Sequence, residues 1–135
     1  MTYDPVDDVI SILDDNWSSS VTKPNIIKAY DIRAVDLRRG DYVIVGQVSE
    51  ADDYVGVPLE FRRTAVVSIM LKTKTSRDRA REMAEEVRRI LRDKDVWRDN
   101  GYLMMRLTRA VDMTDRERKV YTIVFDAMLQ RLETV

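Results

Sequence analysis

Near the N-terminus the apolar positions are Val6, Val9, Ile10 and Leu13, with Trp17 one turn further. This is helical spacing with a single apolar face. Asp4 serves as the N-cap, and Pro5 follows at the first helical position, where its missing N–H costs nothing. Asp7, Asp8, Asp14 and Asp15 fall off the apolar stripe, and Ser18-Ser19-Ser20 ends the helix in a polar loop. After Lys23-Pro24 the period shortens. Residues 26–35 read as a strand, Arg38-Arg39-Gly40-Asp41 as a turn, and Tyr42-Val43-Ile44-Val45 as a second strand continuing toward Val48. Together the two strands read as a hairpin. Residues 49–58, with Asp52, Asp53, Tyr54 and Gly56, are polar and acidic and read as an exposed, mobile loop.

Residues 61–73 form the clearest strand. Ala65, Val67, Ile69 and Leu71 make one face, while Arg63, Val66, Ser68, Met70 and Lys72 make up much of the rest. Apolar residues on both faces near its middle point to a central position in a sheet. Ser76 caps a second helix running to about Asp93. Its stripe is Ala80, Met83, Ala84, Val87, Ile90 and Leu91, and its other side is rich in arginine and glutamate. Glu85 precedes Arg89 by four residues, the favourable order for a helical ion pair. Asp99-Asn100-Gly101 is a turn, residues 102–111 a strand, residues 112–115 a second turn, and residues 120–132 a last strand with both faces apolar in its middle. The order α-β-β-β-α-β-β predicts one α+β domain spanning 1–135. It is a two-layer sandwich with a mostly antiparallel sheet of about five strands and two helices on one face.

Composition narrows the chemistry. The 135 residues contain no cysteine and no histidine. Disulfides, thiolate metal sites, the commonest general base and the usual transition-metal ligand are therefore ruled out. Basic and acidic residues number 23 and 24, a net charge of −1, without the basic excess of a free-standing nucleic-acid binder. No apolar run approaches the roughly 18 to 20 residues that span a bilayer, and the acidic N-terminus does not resemble a signal peptide. The expectation is a protein of the cytosol, or one assembled there, with no membrane partner.

Few residues invite a specific role. The four aspartates of the first helix lack the alternation around a glycine that an EF-hand requires, and read as a solvated face. Asp52 and Asp53 could meet a cation or a basic partner, or simply keep the loop soluble. The arginines of residues 77–92 could meet phosphates, but Glu82, Glu85 and Glu86 among them favour an ion-paired solvent face. An RNA-binding sheet would need aromatic residues on adjacent central strands, and the strand at 61–73 has only Phe61. Trp17 and Trp97 are expected at the edge of the core. Trp97, beside Val96, is the alternative candidate for a partner anchor. No phosphate loop, nucleophile elbow or dinucleotide fingerprint is present. The expectation is a non-enzyme with no catalytic, cofactor or metal site and with Asp52, Asp53, Tyr54 and Trp97 as partner contacts.

Several features together resemble a known family. They are the short N-terminal helix, Lys23-Pro24-Asn25-Ile26 leading to the first strand, and Val66-Val67-Ser68-Ile69 running through Lys74-Thr75-Ser76-Arg77 into a helix. That helix carries Glu86-Val87-Arg88-Arg89-Ile90-Leu91; Gly101-Tyr102, Asp112-Met113-Thr114-Asp115 and a final strand follow. Over nearly its whole length the chain resembles the tail-terminator, or tail-completion, proteins of the head-to-tail joint in long-tailed viruses of bacteria and archaea. The resemblance implies a small subunit of a homo-oligomeric, hexameric ring in the neck of the virion, assembled in the host cytoplasm. Its partners would be other copies of itself, the tail tube protein and the head-connector protein, with DNA passing through without specific binding. It implies no catalytic residues and no cofactor, and makes the acidic 49–58 segment a contact with adjacent rings. The alternatives are another neck component that closes the head, or a nucleic-acid-binding α+β module working through helix 77–92.

Overall fold

The structure, a computed structural model, describes residues 4–29, 35–54 and 60–134. Helix α1 covers Pro5–Asn16 and begins where Asp4 accepts hydrogen bonds from the backbone N–H groups of Val6 and Asp7. Pro5, Val6, Val9, Ile12 and Leu13 are its buried residues, so the stripe turns slightly from the one the sequence predicts, with Ile12 inside and Ile10 half-buried. Helix α2 covers Arg77–Arg92, capped by the Ser76 hydroxyl on the Arg79 N–H, and buries the whole predicted stripe. A third helix, α3 (Lys94–Asp99), follows at once. The sequence reading missed it because six residues carry too few apolar positions to show a period. Asp93 starts it by accepting from the Asp95 N–H.

The strands are β1 (Asn25–Lys28), β2 (Tyr42–Tyr54), β3 (Glu60–Thr73), β4 (Met104–Asp112) and β5 (Tyr121–Thr134). They form one sheet in the order β1-β2-β3-β5-β4. All pairs are antiparallel except β1 with β2. The α+β architecture is thus the one expected, with a mixed sheet and three helices. On one face Val43, Val45, Val67, Ile69, Leu71, Phe125, Ala127 and Leu129 pack against both long helices. On the other face Val66, Met70, Val124 and Met128 are half-buried.

Four local expectations are corrected. The first two strands are parallel and do not form a hairpin. The chain from Ala29 to Asp41 is long enough to return to the same end of the sheet, and the Asn25 N–H bonds the Asp41 carbonyl at 2.9 Å. The described part of the first strand stops at Lys28, and residues 30–34 of the predicted span lie outside the described residues. The acidic segment is not a loop from residue 49: β2 continues through Tyr54, because the facing strand offers arginines. Asp52 sits opposite Arg63, whose guanidinium lies 2.9 Å from Asp52 and 3.7 Å from Glu50. Such cross-strand opposite charges favour pairing. Residues 55–59 of that predicted loop lie outside the described residues. Lastly, Tyr102 precedes β4 and does not belong to it. A bulge at Thr108 then breaks the predicted alternation, so that Met105 and Leu107 face the helices while Arg109 shares a face with Arg106.

Candidate functional site

Two polar clusters hold the elements together. Asp41, at the start of β2, accepts from the Thr73 hydroxyl at 2.5 Å and from Arg79 Nε at 2.8 Å. Arg79 also reaches the Thr22 carbonyl and Glu82, so one guanidinium ties α2 to the segment before β1 and to Asp41, which in turn holds Thr73 of β3. Glu86, buried on α2, is paired with Arg89, which in turn donates to the Asn16 carbonyl at the end of α1. Glu85 pairs with Arg88. The expected Glu85–Arg89 pair is therefore replaced by two pairs spaced three residues apart, because burial of Glu86 draws Arg89 toward α1. Tyr102 Oη donates to Asp8 at 2.5 Å, docking the segment before β4 on α1.

One concave surface lies between α2 and β4. Three adjoining depressions, of about 260, 550 and 200 Å3, share Arg77, Asp112 and Thr114 at one junction and Arg88 and Ala110 at the other. They form a single open trench along the strand. Arg77, Arg81, Arg88 and Arg92 line it from α2, and Arg109 and Arg116 from the opposite side. Glu85 is engaged by Arg88. Asp112 is held below the usual carboxylate range, first by the hydrogen bonds from Thr114 and then by Arg77 and Arg116 nearby. The trench is a cationic surface with an apolar floor of Ala80, Ala84, Ala110 and Ile123.

Among the described residues both borders of the sheet are open. β4 is last in the sheet order. At the other end β1 covers β2 only from Tyr42 to Val45, so among the described residues no strand pairs with the outer side of β2 from Gly46 to Tyr54. A bulge at Val48 interrupts this border, and Val48 is 61% exposed.

Of the predicted contact residues, Asp52 lies on this open border with its carboxylate on Arg63. Asp53 and Tyr54 follow it in β2, opposite Arg62 and Phe61. Trp97 is elsewhere, on α3. It is 8% exposed and belongs to the core, with the Arg98 guanidinium 5.4 Å from its ring centre. The structure therefore gathers Asp52, Asp53 and Tyr54 on one border and separates Trp97 from them. The trench was missed from sequence, because only the sheet order places β4 beside α2 at a border. Compared with known proteins, the chain matches no family profile and no curated sequence.

Proposed function

We propose that this chain is a structural subunit of a virus particle, a tail terminator whose copies form a ring that ends the tail tube and presents a surface to the neck connector. The observation that carries the reading is a five-stranded sheet that, among the described residues, has helices on one face only and an open border on each side. Exposed strand borders are templates for pairing with another chain. A ring subunit needs two such borders and a rigid body between them. The whole-chain resemblance to tail-completion proteins supplies the context. In this reading the subunit makes and breaks no covalent bonds, and DNA passes the ring without specific contact.

Two measurements test it. Purified protein added to tail tubes of the same virus should bind only at their ends and stop further growth, as seen by electron microscopy. Particles lacking the chain should carry overlong or headless tails; tails of normal length with heads attached would overturn the reading. The cationic trench favours one second reading, a module that holds nucleic acid through the arginines of α2. That reading requires binding that weakens steeply with salt, and a flat mobility-shift titration at low salt would dispose of it.

A further inference from the structure

The two open borders are matched to each other in charge and in apolar residues. Glu50 and Asp52 lie opposite Ala65 and Arg63 in the register with β3, which puts them on the helix side of the sheet. On that same side Arg81, Arg88 and Arg92 overhang β4. The exposed large apolar side chains of the described residues gather at the same two borders. Val48 is on β2, Met113 lies just past β4 at 61% exposure, and Leu103 and Leu132 flank the start of β4. We propose that the Gly46–Tyr54 border of β2 in one copy adds to β4 of the next copy, with Glu50 and Asp52 entering the trench beneath the arginines of α2. This rests on the ring-subunit reading and names the surfaces that join its copies.

The strand directions permit it. β2 is antiparallel to β3, β3 to β5, and β5 to β4, so β2 and β4 run opposite ways. Copies related by rotation about an axis to which the strands are tilted therefore meet as an antiparallel pair, displaced along the strands. The levels fit as well. Asp52 lies level with Arg131, and Ala110, on the helix side of β4, with Phe125, so setting Asp52 opposite Ala110 slides the incoming strand by about six residues. The same slide brings Val48 to the level of Thr122, where the Met113 N–H bonds the Thr122 carbonyl. A slide of about one residue per strand is the stagger carried by closed, tilted barrels. Charge also rejects the symmetric pairings. Two β4 borders would oppose Arg106 and Arg109 to their own copies, and two β2 borders would oppose Glu50 and Asp52. The contact is thus head-to-tail, the kind that closes into rings.

The sequence has no cysteine, so introduced thiols report without background. The full-length V48C/M113C double variant, treated at high concentration with a flexible bis-maleimide, should give a ladder of covalent oligomers on a denaturing gel. Each single variant should stay monomeric. The E50K and D52K changes made together should cut the ladder about tenfold, and adding R81E and R92E should restore it, with thermal melts confirming that each variant is folded. Dimers from a single-cysteine variant would mean symmetric pairing and overturn the proposal. Capped tail tubes without any ladder would also overturn it, while leaving the ring reading to other surfaces. A ladder from protein that never caps tubes would uphold this pairing and overturn the tail-terminator reading. Salt-steep DNA binding with no ladder would assign the arginines to phosphates and overturn the pairing.

Discussion

Replacing Arg79 by methionine should be among the most damaging single changes outside the apolar core. The Arg79 side chain is 10% exposed and the Asp41 side chain 15%, so the pair is largely out of water. Methionine keeps most of the packing volume but, among the described residues, leaves the Asp41 carboxylate with the Thr73 hydroxyl alone, and leaves the Thr22 carbonyl without the guanidinium. Removing one partner of a buried ion pair costs about 3–5 kcal/mol, and the residual water access here favours the lower part of that range. Loss of the donor to Thr22 adds about 1 kcal/mol. The arm to Glu82 adds little, because Glu82 is 52% exposed and such pairs contribute about 0–1 kcal/mol. The expected loss is about 3–4 kcal/mol, a large share of the roughly 5–15 kcal/mol by which domains are stable. Urea denaturation of R79M, D41N and the double variant measures it. The double variant should be less damaged than the sum of the singles by about 1–3 kcal/mol, since each single leaves a partner stranded. Lysine at position 79 should recover only part of the loss, because a single ammonium cannot reach Asp41, Thr22 and Glu82 at once. If R79M costs under about 1 kcal/mol, or the two singles simply add, the clasp does not hold these elements together.

Phe125→Ala should cost about 3–5 kcal/mol by urea denaturation, because the ring is fully buried at the centre of the sheet and also carries the Arg88 guanidinium 5.0 Å from its centre. A methyl group added at Gly46 would sit 2.7 Å from the Ala29 Cβ, so G46A should cost about 1–3 kcal/mol, and the A29G change should recover most of it in the same assay. Acid should matter only at low pH. Asp7, Asp36 and Asp112 are held below their ordinary value of 3.8, chiefly by hydrogen bonds from Lys28, Arg38 and Thr114 respectively. A depressed folded-state value contributes stability that is fully present above 3.8 and is lost as pH falls through the lower value. With no histidine to titrate, the melting temperature should be flat from about pH 7 to about pH 5 and fall below about pH 4. A fall already complete by pH 5 would contradict this.

The elements that could be read from sequence were those whose burial has a clean period. Both long helices show their stripes and caps, and the Ala65–Leu71 alternation marks β3 as central because both of its faces meet other residues. Apart from α3, too short to show a period, what failed shares one cause: a neighbour distant in sequence overrides local composition. Residues 49–54 look like a loop until Arg62 and Arg63 are placed across from them. Glu86 looks like one more surface charge until α1 brings the Asn16 carbonyl to Arg89, after which the carboxylate is buried and paired. Of the trench, the arginines of α2 were legible but their neighbours were not. Arg106, Thr108 and Arg109 hint at a border strand, yet only the sheet order shows that this border lies beside α2.

Bulges and charged residues on border strands are the usual means by which a sheet avoids indiscriminate pairing. Both borders here have them: Val48 and the carboxylates on β2, Thr108 and the arginines on β4. Had their only role been to keep the chain monomeric, charges of either sign would serve at either border, and exposed apolar residues would be a liability at both. Instead the signs are opposite, and Val48 and Met113 lie at the borders where a like-charged copy would be repelled and an unlike border attracted. The same residues that forbid pairing of like with like therefore leave one combination open. On the proposed pairing, such a subunit would stay dispersed while single contacts are weak and would join others when a template such as a tube end holds several copies in line, since each added contact is then effectively intramolecular. Reversing the charge of one border should abolish that selectivity without unfolding the chain, whereas reversing both should restore it with the polarity of the contact exchanged.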